Sequence, residues 1–256
     1  MDQFPHILNF RDLGGITTAD GRVLKTRRLY RGASLCEITA HEAADLVDVC
    51  RIRCAIDLRA TFERNAQPEP HIVGIESLHE PLVPPKALSI TLDNGNLREI
   101  LNGEFTFDEI DMISMYRKFV DQSVADRWRD IFRALLDSRG NAVLWHCTNG
   151  KDRTGVVAAI VLLSLGVPYS TVVDDYLQSN QELMAHRAAI RAEAAAKGEQ
   201  PGLADQMGPL MKAHPRYLDA MLEEIDKEYG GLPAFFEDVC GLSIAEDDQM
   251  QSLFLQ

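Results

Sequence analysis

The sequence predicts an α/β layer with a helical C-terminal part, on three observations. Strand-like and helix-like runs are mixed through the first half of the chain. A strand-like run, Ala142-Val143-Leu144-Trp145, passes through a glycine-containing turn into a helix-like run, Val156 to Leu165. Beyond that point the remaining periodicity is helical.

Residues 22 to 31 (RVLKTRRLYR) read as an early strand. His41 to Cys50 is helical, with Ala43, Ala44, Leu46, Val47 and Cys50 on one side. Ile52 to Leu58 (IRCAIDL) is a short apolar run that reads as a buried strand with Asp57 at its end. Residues 64 to 104 carry a group of prolines and turn signals such as Pro84-Pro85 and Asn94-Gly95. A strand at about Ile75 to Pro81 and a variable loop are expected there. Tyr116, Phe119, Val120, Val124, Trp128, Ile131, Phe132, Leu135 and Leu136 recur at helical spacing, as the core side of one or two amphipathic helices. Gly140-Asn141 turns the chain into the 142–145 strand. Gly166 and Pro168 stop the helix after the turn, and Ser170 suits the N-cap of the next one, to about Asn180. Residues 182 to 198 are alanine-rich, mixed in charge and helical in pattern, with an interruption from about 197 to 208. Tyr217, Leu218, Met221, Leu222 and Ile225 form a last stripe, ended by Gly230-Gly231.

The chain has 256 residues, 46% of them hydrophobic, enough for a sizeable core. Its net charge of −13 weighs against a general nucleic-acid or anionic-membrane binder. A local cluster of donors can still hold an anionic substrate. Five scattered cysteines (Cys36, Cys50, Cys54, Cys147, Cys240) fit reduced thiols better than a disulfide framework. The start lacks a basic segment followed by an apolar core, and the longest apolar run is too short for a bilayer. A cytoplasmic location without stable membrane insertion is the expectation, with export lacking a classical signal left open. No internal repeat is present, and the histidine spacing suggests no metal site.

The chemistry concentrates in His146-Cys147-Thr148-Asn149-Gly150-Lys151-Asp152-Arg153-Thr154-Gly155. A phosphate spreads negative charge over several oxygens, so its site needs many donors. Consecutive backbone N–H groups in a tight turn form such a nest, here over Thr148, Asn149, Gly150 and Lys151. A helix starting near Thr154 adds the partial charge of its N-terminus. Gly150 permits a positive φ. Arg153 offers a planar fork for two phosphate oxygens. The same field favours Cys147 as a thiolate nucleophile. Thr154 suits a hydrogen bond to that sulfur, His146 a role in fixing the loop through backbone hydrogen bonds, and Lys151 a contact to a further phosphate. The leaving oxygen needs a proton, and either Asp152, inside the loop, or Asp57, at the strand end, can supply it. A nucleotide-binding P-loop is excluded: Trp145 stands where that motif needs glycine, and Asp152 where it needs Ser or Thr.

These residues carry a family resemblance. The chain resembles the atypical bacterial and fungal protein-tyrosine phosphatases whose loop reads HCxxGKDRTG. It is similar to them also in Asn9 to Gly15 (NFRDLGG), Ile56-Asp57-Leu58-Arg59, Tyr30-Arg31-Gly32-Ala33, Tyr217-Leu218 and Tyr229-Gly230. The resemblance runs nearly the whole chain in order. It implies one phosphatase domain over 1–256, a central, mainly parallel sheet flanked by helices, no cofactor and no metal. It implies hydrolysis of phosphotyrosine in proteins, extending in some relatives to phosphoserine, phosphothreonine or phosphoinositides. Cys147 is then the nucleophile, Arg153 the phosphate clamp and Asp152 the favoured acid, with 182–215 a helical lid. Asn149 departs from the small residue usual at its position, so substrate preference does not carry over.

The same residues admit competing readings. A phosphate-binding module without catalysis predicts loss of the cysteine or the arginine, and both are present. A sulfur-transfer or arsenate-reducing enzyme predicts a resolving cysteine nearby in sequence, and none is there. Cys36, Cys50, Cys54 and Cys240 read as small buried hydrophobes. Asn9 to Gly15 reads as structural, with Arg11 and Asp12 pinning the N-terminal segment near the site and Gly14-Gly15 making a turn. Asp57 has the alternative of merely holding Arg59. Oligomeric state leaves no trace in the sequence.

Overall fold

Among the described residues, five strands form one sheet in the order β1-β2-β5-β3-β4. The structure is a computed structural model and describes residues 4–83, 109–186, 188 and 212–256. The strands are β1 (Arg11–Asp12), β2 (Leu29–Gly32), β3 (Ile52–Asp57), β4 (Glu76–His79) and β5 (Ala142–His146). The β2–β5, β5–β3 and β3–β4 pairs are parallel, and β1 is antiparallel to β2. The α/β class with a mainly parallel sheet therefore holds.

The helices are α1 (Ala40–Asp48), α2 (Thr61–Ala66), α3 (Glu109–Lys118), α4 (Ala125–Asp137), α5 (Asp152–Ser164), α6 (Tyr169–Glu182), α7 (Pro215–Tyr229) and α8 (Ile244–Phe254). Thr39 and Glu42 close a reciprocal capping box at the start of α1. Pro215 opens α7, and Gly230, at φ 79°, ends it in the left-handed conformation expected after a helix. The Tyr116 to Leu136 stripe is buried throughout, as its spacing predicts.

Alternation along β5 sorts the core into two layers. Ala142 and Leu144 pack with Ile52, Ala55 and Leu46 of α1. Val143 and Trp145 face the opposite layer, with Ile56, Trp128 and the apolar side of α5. The β3–β5 register shifts between Ile52 and Cys54, so Arg53 is an extra residue on β3. This bulge reverses the phase of the strand. Ala55 and Asp57 consequently face the α1 layer, while Cys54 and Ile56 face α5.

Three boundaries differ from expectation. The early strand contracts to β2, because Arg27 takes a φ of 56° and interrupts extension; Val23 and Leu24 make isolated bridges to Thr17 and Leu255. The helix after the loop starts at Asp152 rather than near Thr154. Ser170 falls inside α6, which starts directly after Pro168, whose fixed φ suits a helix entry. The part of the 64–104 stretch from residue 84 on, where the variable loop falls, and most of the 182–198 helix and 182–215 lid lie outside the described residues.

Candidate active site

The carboxyl ends of the parallel strands bring Gly32, His146, Asp57 and His79 into one row across the sheet. The loop from Cys147 to Lys151 leaves β5 at that row and enters α5. Trp145 closes the connection from below: its indole N–H donates to the Thr154 carbonyl at 3.2 Å. Cys147 is buried at 3% exposure, on the α5 side of the sheet, and Asn149 is exposed.

The loop is held from its inner side through one carbonyl. Gly150 O accepts from Asn9 Nδ2 at 2.6 Å and from Arg31 Nη2 at 3.1 Å. Arg31, fully buried, donates through Nη1 to Asp175 Oδ2 at 2.6 Å. Arg11 donates to Asp175 Oδ1 at 2.8 Å and also to Asn9 Oδ1 at 2.5 Å. Burial alone raises the Asp175 carboxyl, but the charges of Arg31 and Arg11 outweigh it and hold the group below the ordinary carboxylate range. A trans peptide carries its N–H opposite its C=O. With Gly150 O pinned inward, the Lys151 N–H therefore points away from the buried arginines. The Thr148 carbonyl likewise accepts from Ser34 N at 3.3 Å, which turns the Asn149 N–H the other way. Gly150 has a φ of 64°, and a Cβ there would lie 2.5 Å from the Gly32 carbonyl carbon. Both conformation and space demand glycine.

Arg153 is oriented by a residue the sequence reading did not single out. Glu63, on α2, accepts from Nη1 at 2.5 Å and Nη2 at 2.8 Å, a bidentate pair. It also accepts from the Thr148 hydroxyl at 2.6 Å and the Ala60 amide at 2.8 Å. Burial raises the Glu63 carboxyl, but the hydrogen bonds and charge of Arg153 prevail and bring it down to about 2. The end-on fork expected for phosphate is thus engaged by Glu63. Nη2 also reaches the Thr148 hydroxyl at 3.3 Å and Nη1 the Leu58 carbonyl at 3.4 Å, so of the three guanidinium nitrogens Nε alone carries no hydrogen bond among the described residues. Cys147 lies close enough to act on the Arg153 charge.

Asp152 and Asp57 part company. Asp152 is a quarter exposed, with Oδ1 accepting from the Tyr116 hydroxyl at 2.7 Å and Lys151 Nζ at 2.9 Å. Asp57 is buried and accepts three hydrogen bonds from Arg59, through its amide at 3.0 Å, Nε at 2.9 Å and Nη2 at 2.8 Å. Burial opposes ionisation of Asp57, yet Arg59 and the charge of His146 keep its carboxyl below the ordinary value. The Arg53 bulge has turned it to the α1 face.

Five further residues differ from expectation. The Lys151 side chain is buried on Asp152 and the Lys212 carbonyl (3.3 Å), so its ammonium faces inward rather than toward a further phosphate. The Thr154 hydroxyl donates to Gly32 O at 3.4 Å, not to the sulfur. Neither ring nitrogen of His146 has a hydrogen bond among the described residues, because period-two alternation turns the ring away from the loop backbone. It lies instead 3.5 Å from Glu69 and 3.9 Å from Asp57, while its main-chain carbonyl accepts from Leu58 N. Cys36 is partly exposed and polar in setting, its sulfur accepting from Arg59 Nη1 at 3.0 Å. Asp12 caps the turn at Gly14 and Arg27 rather than touching the loop.

A row of parallel-strand ends, a left-handed glycine and a loop entering a helix N-terminus beside an arginine describe an α/β protein whose loop has the geometry suited to an anion. Comparison with known proteins makes the class specific. The tyrosine phosphatase family profile matches residues 3–256. A Cupriavidus necator protein provisionally named a tyrosine-protein phosphatase is 30% identical over 95% of this chain and 85% of its own length. The triple specificity protein phosphatase PtpB of Mycobacterium tuberculosis is 34% identical over 56% of this chain and 54% of its own. A Nostoc commune tyrosine-protein phosphatase is 31% identical over 49% of this chain and 43% of its own. The chain belongs to the tyrosine phosphatase family and is a protein-tyrosine phosphatase.

Two predictions follow from the loop supports. Gly150→Ala displaces the loop and lowers turnover of an aryl phosphate about 100-fold, the scale of a 1 Å misplacement; wild-type turnover in steady-state assays contradicts the account. Glu63 is depressed in the folded state, so its stabilisation is complete above its ordinary value of about 4.5 and is lost as pH falls through about 2. The stability gap between wild type and Glu63→Gln, measured by urea unfolding, should narrow as pH falls through that window. A gap independent of pH contradicts it.

Proposed function

We propose that this chain is a cysteine-dependent phosphatase acting on phosphotyrosine in proteins, with residues 1–256 as one phosphatase domain. The observation that carries the reading is the pairing of Cys147 with Arg153. Both belong to one loop at a helix N-terminus, with the guanidinium fixed on Glu63 and within electrostatic reach of the sulfur.

In the first step the Cys147 thiolate attacks phosphorus. The S–P bond forms, the ester P–O bond breaks, and its electron pair goes to the leaving oxygen, which takes a proton from Asp152. Outward loop amides and the Nε–H of Arg153 hold the equatorial oxygens as charge develops. In the second step water attacks the cysteinyl phosphate and gives its proton to Asp152; the new P–O bond forms, the S–P bond breaks with its electron pair returning to Cys147 as thiolate, and inorganic phosphate leaves. Asp152 is preferred over Asp57 as the acid because it adjoins the loop, is partly exposed and leaves Oδ2 without a hydrogen bond among the described residues. Asp57 is buried on the opposite face with Arg59 on it.

Similarity to a relative named a triple specificity phosphatase supports a broader range that includes phosphoserine and phosphothreonine. Phosphoinositides remain in that range only without help from the Lys151 ammonium as it stands, since it is bound to Asp152.

Cys147→Ser should abolish phosphate release from a phosphotyrosine peptide, and Arg153→Ala should lower it by about 10²–10³, the cost of losing a transition-state donor. Parallel assays on phosphoserine peptide and phosphoinositides, with chelator present, set the range. Substantial turnover by Cys147→Ser contradicts the cysteine mechanism.

A further inference from the structure

The Asp152 carboxylate is anchored by a pair of tyrosines from two helices distant in sequence. Tyr116 of α3 donates to Oδ1, and its hydroxyl meets the Tyr176 hydroxyl of α6 at 2.6 Å. Each phenol has a single proton. While Tyr116 gives its own to Asp152, Tyr176 must give its own to Tyr116. Both rings are buried to within 1% of full burial. Burial first, then the Asp152 charge, holds both phenols protonated far above the neutral range, so the chain of donors is intact at working pH.

The space for this pair is made by the loop itself. Gly155, on the first turn of α5, has no Cβ, and one placed there would lie 2.8 Å from Tyr176 Cδ2. The glycine that ends the loop motif therefore admits the ring that reaches back toward the loop aspartate. Edge contacts of Tyr116 with Phe119 and Tyr176 and a tilted contact with Tyr217 fix the ring plane, so the hydroxyl has little freedom to leave the carboxylate.

Tyr116 and Lys151 both bind Oδ1. Oδ2 is left as the oxygen that can carry a transferable proton. We propose that Tyr116 and Tyr176 are positioning residues for the general acid. They lock Oδ1 of Asp152 so that the proton delivered to the leaving oxygen sits on Oδ2. This rests on the reading of Asp152 as the acid. The tyrosines touch neither substrate nor phosphorus; they set the direction from which the proton comes.

The test compares phenyl phosphate, a poor leaving group, with dinitrophenyl phosphate, which leaves without a proton. Asp152→Asn should slow the first by about 10² or more and barely affect the second. Tyr116→Phe keeps the ring and removes one hydrogen bond, so it should slow phenyl phosphate about tenfold, through kcat and not KM, and dinitrophenyl phosphate less than about twofold. Tyr176→Phe should act in the same direction and more weakly, and serves if Tyr116→Phe fails to fold in a thermal melt. The double variant Tyr116→Phe/Asp152→Asn should match Asp152→Asn alone. Equal slowing of both substrates by the tyrosine variants, no slowing, or additivity with Asp152→Asn overturns the positioning role and leaves the acid assignment standing. A flat leaving-group response from Asp152→Asn itself overturns the acid assignment and the proposal with it.

Discussion

The loop depends on a buried charge cluster in which Asp175 stands between Arg11 and Arg31. Two guanidinium groups and one carboxylate carry a net positive charge out of water, an arrangement that needs acceptors for the remaining donors. The main-chain oxygens of Asp175 and Gly150 and the Asn9 side-chain oxygen take most of them, while Arg31 Nε has no partner among the described residues. The cluster thus holds the Gly150 carbonyl inward, and that single orientation turns the neighbouring amide outward. It also joins three parts of the chain: the N-terminal segment, β2 and α6. The Asn9–Gly15 segment, whose sequence reads as structural, acts on the loop directly through Asn9 and indirectly through Arg11, which holds Asn9 and Asp175.

A second support works from the other side. Glu63 grips Arg153 and Thr148 together, so the guanidinium and the start of the loop share one anchor. Arg59, Asp57, Glu69 and the partly exposed Cys36 form a separate polar group on the α1 face, next to the His146 ring. The sheet separates that group from the layer containing Cys147. The aspartate at the end of β3 is thereby structural in its contacts, and the one inside the loop keeps Oδ2 without a hydrogen bond among the described residues.

What the sequence makes legible is what local pattern controls. Strand, turn and helix around Cys147 follow from apolar runs and Gly150, and the 116–136 stripe follows from its period. Asp57 shows where this fails. Its position at a strand end is readable, but its face depends on one bulged residue, Arg53, which no periodicity reveals. Glu63 is a carboxylate on a short helix with nothing in its neighbours to mark it, and only the fold sets it against Arg153, ninety residues on. Tyr116 reads as core because it is core; its hydroxyl and that of Tyr176, which the sequence does not mark, meet only when α3 and α6 converge on the loop. Lys151 is the converse. Its type suggests a phosphate contact, and burial beside Asp152 redirects it.

The central claim is that Cys147 carries the phosphoryl group. Rapid mixing of the wild-type chain with an aryl phosphate, acid quench within the first turnovers and peptide mass spectrometry test it most directly. The account predicts a phosphorylated peptide containing Cys147, absent from Cys147→Ser and accumulating as hydrolysis of the intermediate is slowed. Steady turnover with no phosphorylated peptide, or with the phosphoryl group on another residue, would contradict it.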